Sequence, residues 1–116
     1  MSGFFGMFGG KRNAVRDLTP VEVARGLTEG TMVIVDVREP PEVKVERIAN
    51  SVFVPLSAFD PQNIPDPQGR TVVFVCAGGV RSAKASEVAQ AAGLPYDTHL
   101  VGGLKAWKAA GLPVEG

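Results

Sequence analysis

The chain has 116 residues, with twelve basic and twelve acidic side chains that cancel, a length that suits one compact domain and leaves no room for a second with its own core. A hydrophobic share of 45% against 21% charged is that of a folded soluble chain rather than a disordered one. No Lys/Arg stripe offers the footprint a phosphate backbone requires, one cysteine and one histidine make a metal site improbable, and no apolar run reaches a membrane span, so none of those partners is expected.

Residues 1–16 read as a tail, because Gly3, Gly6, Gly9 and Gly10 weaken any helix around Phe4, Phe5 and Phe8. An alternative puts the three phenylalanines on one face of a short helix that docks on a partner or a membrane surface. The start lacks the basic end and continuous apolar stretch of a secretory signal, and a lone cysteine makes no internal disulfide. A cytoplasmic protein is therefore expected, with its domain over residues 17–116.

Regular structure begins at Leu18-Thr19-Pro20-Val21-Glu22, where Thr19 caps a helix, Pro20 suits its first turn and Glu22 completes a capping box. Gly30 marks the stop. Met32-Val33-Ile34-Val35-Asp36-Val37 is an apolar, β-branched run of the kind buried on both faces of a sheet. A second run, Val52-Phe53-Val54, ends at Pro55, and the stretch from Asp60 to Gly69, with three prolines, is a surface loop. Thr71-Val72-Val73-Phe74-Val75 is the third strand. After it come a tight loop, Cys76-Ala77-Gly78-Gly79-Val80-Arg81, and a helix starting near Ser82, whose apolar stripe is Ala85, Val88, Ala89 and Ala92 and which stops at Gly93. Lys84, Glu87 and Gln90 are left to face water. Thr98 to Val101 reads as a short strand, Gly102-Gly103 as a turn, and Leu104 to Ala110 as a last helix closed by Gly111. Strands alternating with helices imply an α/β fold with a mostly parallel sheet covered on both faces, and ligands received at the carboxyl ends of its strands.

Cys76 stands at such an end. A lone cysteine closing an apolar strand is ordinarily an inert core residue, but here Gly78 and Gly79 let successive N–H groups converge into an anion nest, a helix start adds its positive end, and Arg81 adds a full charge. A free thiol is only about 3% ionised at neutral pH, and making it mostly thiolate takes about 2.7 kcal/mol of preference for the anion. An exposed helix end supplies about 0.3 to 1 kcal/mol. Direct N–H contacts to the sulfur must provide much of the rest.

Cys76-Ala77-Gly78-Gly79-Val80-Arg81-Ser82 resembles the active-site loop of single-domain rhodaneses in its Cys-x-x-Gly-x-Arg form. Val35-Asp36-Val37-Arg38-Glu39-Pro40 with Glu42 resembles the family's Asp-x-Arg strand end, and Val54-Pro55-Leu56 its next strand and proline. Leu100-Val101-Gly102-Gly103-Leu104-Lys105-Ala106-Trp107 to Gly111-Leu112-Pro113-Val114 is similar to its terminal signature. The resemblance runs from about Leu18 to Val114. It implies a doubly wound five-stranded α/β domain, a persulfide on Cys76 as the only prosthetic device, with no other cofactor and no metal, and sulfur transfer from a donor such as thiosulfate to a thiol or cyanide. Arg81 then holds the donor's charge and steadies the loop, with Ala77, Gly78, Gly79, Val80 and Ser82 forming the substrate-binding loop. Arg47 departs from the family, which commonly has His in its place. Related cysteine-based phosphatases and arsenate reductases use a loop one residue longer between Cys and Arg, so the shorter loop favours sulfur.

Other readings stay beside these. Arg81 has a bland alternative as a salt bridge to Glu42 or Glu87 that only fastens the helix. Asp36 and Arg38 read as a supporting charge pair beneath the site, Leu104 and Trp107 as core, Lys84 as solvated or as part of a positive mouth, and His99 as a packed or surface side chain rather than a base. With no second cysteine to resolve a persulfide, the acceptor must come from outside as a small thiol, cyanide or a partner protein's cysteine. A binding or sulfur-relay module without turnover is the alternative from another class.

Overall fold

The computed structural model describes residues 14–116, so most of the expected tail, including Phe4, Phe5 and Phe8, lies outside the described residues. Five strands, β1 (Arg16–Leu18), β2 (Met32–Asp36), β3 (Val52–Phe53), β4 (Thr71–Val75) and β5 (Thr98–Leu100), form one sheet in the order β1-β5-β4-β2-β3. Every pairing in it is parallel. Three α-helices lie between strands, α1 (Pro20–Glu29), α2 (Pro40–Val45) and α3 (Val80–Ala91), and α4 (Gly103–Ala109) follows β5. None is long and apolar enough to cross a membrane.

The sequence reasons for these elements hold at atomic distance. Thr19 Oγ1 accepts from the Glu22 N–H at 3.2 Å while Glu22 Oε1 accepts from the Thr19 N–H at 2.8 Å, closing the capping box of α1. β2 and β4 are apolar without alternation because both faces are covered. Val72, Phe74 and Val35 pack with Ala85 and Ala89 of α3, and Ile34, Val73 and Val75 pack with Val23 of α1 and Leu104 and Trp107 of α4. Phe74, fully buried, meets Phe59 and Tyr96 edge to face at centroid distances of 5.9 and 6.4 Å.

Three expectations need correction. α3 starts at Val80 rather than near Ser82, because Gly79, at φ 102°, serves as its N-cap. Its buried face is Ser82, Ala85, Ser86 and Ala89, whereas Ala92 is exposed and Val88 only half-buried. Small residues let the helix approach the sheet closely, and Ser86 is tolerated there because its hydroxyl donates to the Tyr96 carbonyl at 2.8 Å. Gln90, expected to face water, is half-buried and donates from Nε2 to the Ala14 carbonyl at 3.0 Å.

The short helix α2 was not anticipated. It carries its own capping box, in which the Glu39 N–H donates to Glu42 Oε1 at 2.9 Å and Pro40 opens the first turn. Arg47, where the resembled family commonly has His, is tied to the chain end: it exchanges both backbone hydrogen bonds with Glu115 at 2.8 Å, and its guanidinium pairs with the Glu115 carboxylate at 3.4 Å.

Candidate functional site

β4 lies at the centre of the sheet, so the residue after it is walled on both faces, and Cys76 is only 1% exposed. The loop that follows sorts its polar groups by direction. The carbonyls of Cys76 and Ala77 turn toward α4, accepting from the N–H groups of Leu104 at 2.8 Å and Lys105 at 3.0 Å. N–H groups turn the other way, onto the sulfur: Gly79 donates to Cys76 Sγ at 3.0 Å and Ser82 at 3.3 Å, with Ser82 Oγ at 3.4 Å.

Glycine is required where α4 grips this loop. Gly103 has φ 61°, and a Cβ on it would stand 2.5 Å from the Cys76 carbonyl oxygen and 2.7 Å from the Ala77 carbonyl. Only a residue without a side chain lets the α4 start come close enough to take both carbonyls.

The sulfur feels opposing influences. Burial is the largest single one and pushes the thiol up, but the Ser82 hydroxyl and the N–H groups of Ser82, Gly79 and Gly78 together outweigh it, so Cys76 is held below the ordinary thiol value. Ser82, named in the sequence only as the last member of the loop, is the residue that contributes most to this lowering.

Arg81 turns its side chain to Glu42 while Gly79 and Ser82 on either side of it serve the sulfur. Its guanidinium donates two hydrogen bonds to Glu42, at 2.8 Å each, so it clips the start of α3 to α2 in the manner of the bland alternative. Chiefly through that contact Arg81 holds the Glu42 carboxyl at about 2, against an ordinary 4.5, although partial burial works the other way. The pair is one-third exposed and stands at the rim.

Asp36 and Arg38 form a closed unit at the end of β2. Arg38 Nε and Nη2 donate to the Asp36 carboxylate at 2.8 to 3.1 Å, the Arg38 N–H donates to it at 3.0 Å, and Nη2 also reaches the Glu46 carbonyl at 2.9 Å. An open hollow of about 360 Å³ runs beside the loop, bordered by Arg38, Glu42, Ala77, Leu104 and Lys105. Of the other candidates, Val80 is 82% exposed on the loop's outer side, Lys84 faces solvent, and Leu104 and Trp107 are core.

His99 is where sequence reasoning missed a contact. It is 5% exposed, with Nδ1 2.9 Å from Ser82 Oγ and Nε2 2.8 Å from Asp17 Oδ1. The sequence held little signal for it: Asp17 and His99 pair only once the topology sets β1 beside β5.

The chain matches the model of the rhodanese-like domain over residues 19–110. It is 41% identical over 85 residues to an uncharacterized protein, slr1261, of Synechocystis sp., covering 73% of this chain and 48% of that one. The chain thus spans about half the length of that relative. It is 30% identical over 83 residues to a sulfurtransferase of Allochromatium vinosum, covering 72% of this chain and 78% of the relative. A solved structure from Rhodopseudomonas palustris, described as a protein of unknown function and possible tyrosine phosphatase, superposes with a TM-score of 0.75 at 30% identity, covering 99% of each chain. The five-stranded parallel sheet, the order of its elements and the match over most of the described length agree, and the chain belongs to the rhodanese-like domain family.

Proposed function

We propose that the chain is a sulfurtransferase that takes a sulfane sulfur from a donor such as thiosulfate onto Cys76 as a persulfide and passes it to an external thiol or to cyanide. The observation that carries this is the pair of N–H donors gathered on one buried sulfur, those of Gly79 and Ser82, with the Ser82 hydroxyl in contact with it, which favour an anion there. The Allochromatium relative's name supports the same class.

In the first step the Cys76 thiolate attacks the outer sulfur of thiosulfate. A sulfur–sulfur bond forms to Cys76, the bond to the sulfonate breaks, and sulfite leaves with the electron pair, so the negative charge of the thiolate reappears on the terminal persulfide sulfur. In the second, cyanide or a thiolate attacks that terminal sulfur, and Cys76 leaves as thiolate. No proton, metal or further cofactor is needed. Because the chain has one cysteine, nothing within it resolves the persulfide, and a partner protein's thiol is as acceptable in chemistry as a small one. The lone reduced thiol suits a reducing compartment, and we assign the protein to the cytoplasm on that ground.

Mass spectrometry after thiosulfate treatment tests the reading: one added sulfur on Cys76, absent in Cys76→Ser, with ping-pong kinetics for thiosulfate and cyanide. No added sulfur in the native protein would end it. Loading without turnover would favour a relay module.

A phosphatase is the second reading, raised by the description of the Rhodopseudomonas structure. Four residues separate Cys76 from Arg81, Arg81 is turned to Glu42, and the carboxyls of Glu42 and Glu39 are engaged by Arg81 and Ser57 rather than left free to protonate a leaving group. Hydrolysis of an aryl phosphate would reverse this preference.

A further inference from the structure

Of the buried ionisable side chains that the sulfur-transfer steps above leave unused, Asp36 and Arg38 pair with each other, and His99 alone leads to the sulfur. His99 lies on β5 with Asp17 of β1 and Phe74 of β4 as its neighbours in register, and its ring links two groups that sequence places far apart. From the surface inward, Asp17 Oδ1, His99 Nε2, His99 Nδ1, Ser82 Oγ and Cys76 Sγ form one line of hydrogen-bonding contacts of 2.8, 2.9 and 3.4 Å. His99, Ser82 and Cys76 are each at most 5% exposed, and Asp17 opens to solvent.

We propose that His99 is a positioning residue for Cys76: through Ser82 it takes up the proton that the thiol releases, and Asp17 fixes the ring that receives it. The inference rests on Cys76 being the sulfur carrier and deepens that reading.

The inventory of donors and acceptors leaves two arrangements. A carboxylate only accepts, so His99 Nε2 carries a proton toward Asp17 in both. While Cys76 is a thiol, S–H donates to Ser82 Oγ, and the Ser82 hydroxyl donates to the lone pair of His99 Nδ1. On ionisation the S–H bond breaks, Ser82 receives that proton and gives its own to Nδ1, and an N–H bond forms on the ring. Ser82 Oγ now accepts from Nδ1–H and its hydroxyl donates to the sulfur anion. One proton has crossed, no bond count has changed, and a thiolate and an imidazolium face each other across one hydroxyl, with the Asp17 carboxylate behind the ring.

This arrangement answers a physical difficulty. Neutral N–H donors stabilise the anion once formed but accept no proton, and the contact that leads from this 1% exposed residue to a proton acceptor runs through Ser82. The ionisable groups facing the ring are Asp17 from β1 and, beyond Ser82, Cys76 itself; β4 sets the uncharged Phe74 beside it and α3 the hydroxyl of Ser82.

Nitrogen NMR of the histidine ring in the whole chain tests the relay, aided by this being the only histidine. The expected result is a ring protonated on both nitrogens while Cys76 is a thiolate, turning to the neutral Nε2–H form at the same pH in Cys76→Ala. The same neutral ring in both proteins overturns the proposal. Iodoacetamide alkylation across pH adds a readout that packing alone does not move. Asparagine at position 99 can donate to Ser82 but cannot take up a proton, so His99→Asn should slow alkylation at neutral pH about tenfold and move the profile to higher pH. Asp17→Asn, at an exposed position, should shift it the same way by less. Profiles that superpose overturn the relay. Sulfur loading from thiosulfate is read separately by mass: loading with an uncoupled ring overturns the relay alone, and a coupled ring without loading overturns the sulfur-transfer reading alone.

Discussion

β2 and β4 run side by side at the middle of the sheet, Asp36 beside Val75, and each delivers a polar residue to the same edge. At the end of β2, Asp36 is 2% exposed, and at the end of β4, Cys76 is 1% exposed, so neither depth nor place distinguishes them. What differs is whether charge is closed. The Asp36 carboxylate meets Arg38, whose Nη2 also reaches the Glu46 carbonyl, and the two charges cancel before anything binds. The donors around Cys76 have one sulfur to serve, and they are best used when it is negative. A buried strand end is scaffold when its charges cancel internally and a reactive site when its donors await an anion.

Breaking the closed end gives the largest effect. Asp36→Ala strands the Arg38 guanidinium in the core with a carbonyl for company, and loss of one partner of a buried pair costs about 3 to 5 kcal/mol. Urea denaturation should show a drop of that order, whereas Cys76→Ala, which removes an atom that closes no charge pair, should cost far less while abolishing sulfur loading. Equal costs at the two positions would dissolve the distinction.

Much of this contrast was legible in the chain. Two apolar runs without alternation declared strands covered on both faces, and a glycine pair between a cysteine and a helix declared the cradle, although only Gly79, at φ 102°, needs its glycine and Gly78 has room for a side chain. The parts that were hidden depend on topology. β1 is three residues long and mostly exposed, with no periodicity to announce it, and without it Asp17 has no reason to approach His99. The mate of Arg81 was open between Glu42 and Glu87, both within reach on sequence grounds, and α2 decides it by presenting Glu42 at the rim. That helix had only part of the signal present at Thr19: Glu39-Pro40-Pro41-Glu42 has proline in the first turn and glutamate three residues on, but glutamate instead of Ser or Thr at the N-cap. The apolar stripe of α3 misled because serines with satisfied hydroxyls pack as well as alanines.

A middle-sized effect should come from the grip that shapes the open end. Gly103→Ala adds a methyl 2.5 Å from the Cys76 carbonyl, against backbone that cannot swing aside, at a φ of 61° that alanine adopts at a cost of about 1 kcal/mol or more. The loop must shift, and the N–H groups of Gly79 and Ser82 shift with it. Sulfur transfer should fall about tenfold, with the alkylation profile of Cys76 moved to higher pH. An unchanged profile would mean that the donors are placed without help from α4, and the β2 and β4 ends would then differ only in the residues they carry.

The smallest effect belongs to the contact that joins the two ends. Arg81 and Glu42 bridge the rim, and Glu42, at about 2 against an ordinary 4.5, owes that chiefly to the two hydrogen bonds from Arg81, opposed by partial burial. A carboxyl with a lowered folded value stabilises the fold fully above about pH 5 and loses that contribution as the pH falls toward about 2. The pair is one-third exposed, so solvent screening keeps its worth to about 1 kcal/mol or less. Glu42→Gln should therefore lower stability by that amount in urea at neutral pH and by progressively less as the pH falls toward 2, where the native carboxyl is about half protonated. A penalty that persists undiminished at the acid end would show that Glu42 acts there through packing of α2, not through charge, and that the two strand ends are coupled sterically rather than by the ion pair between them.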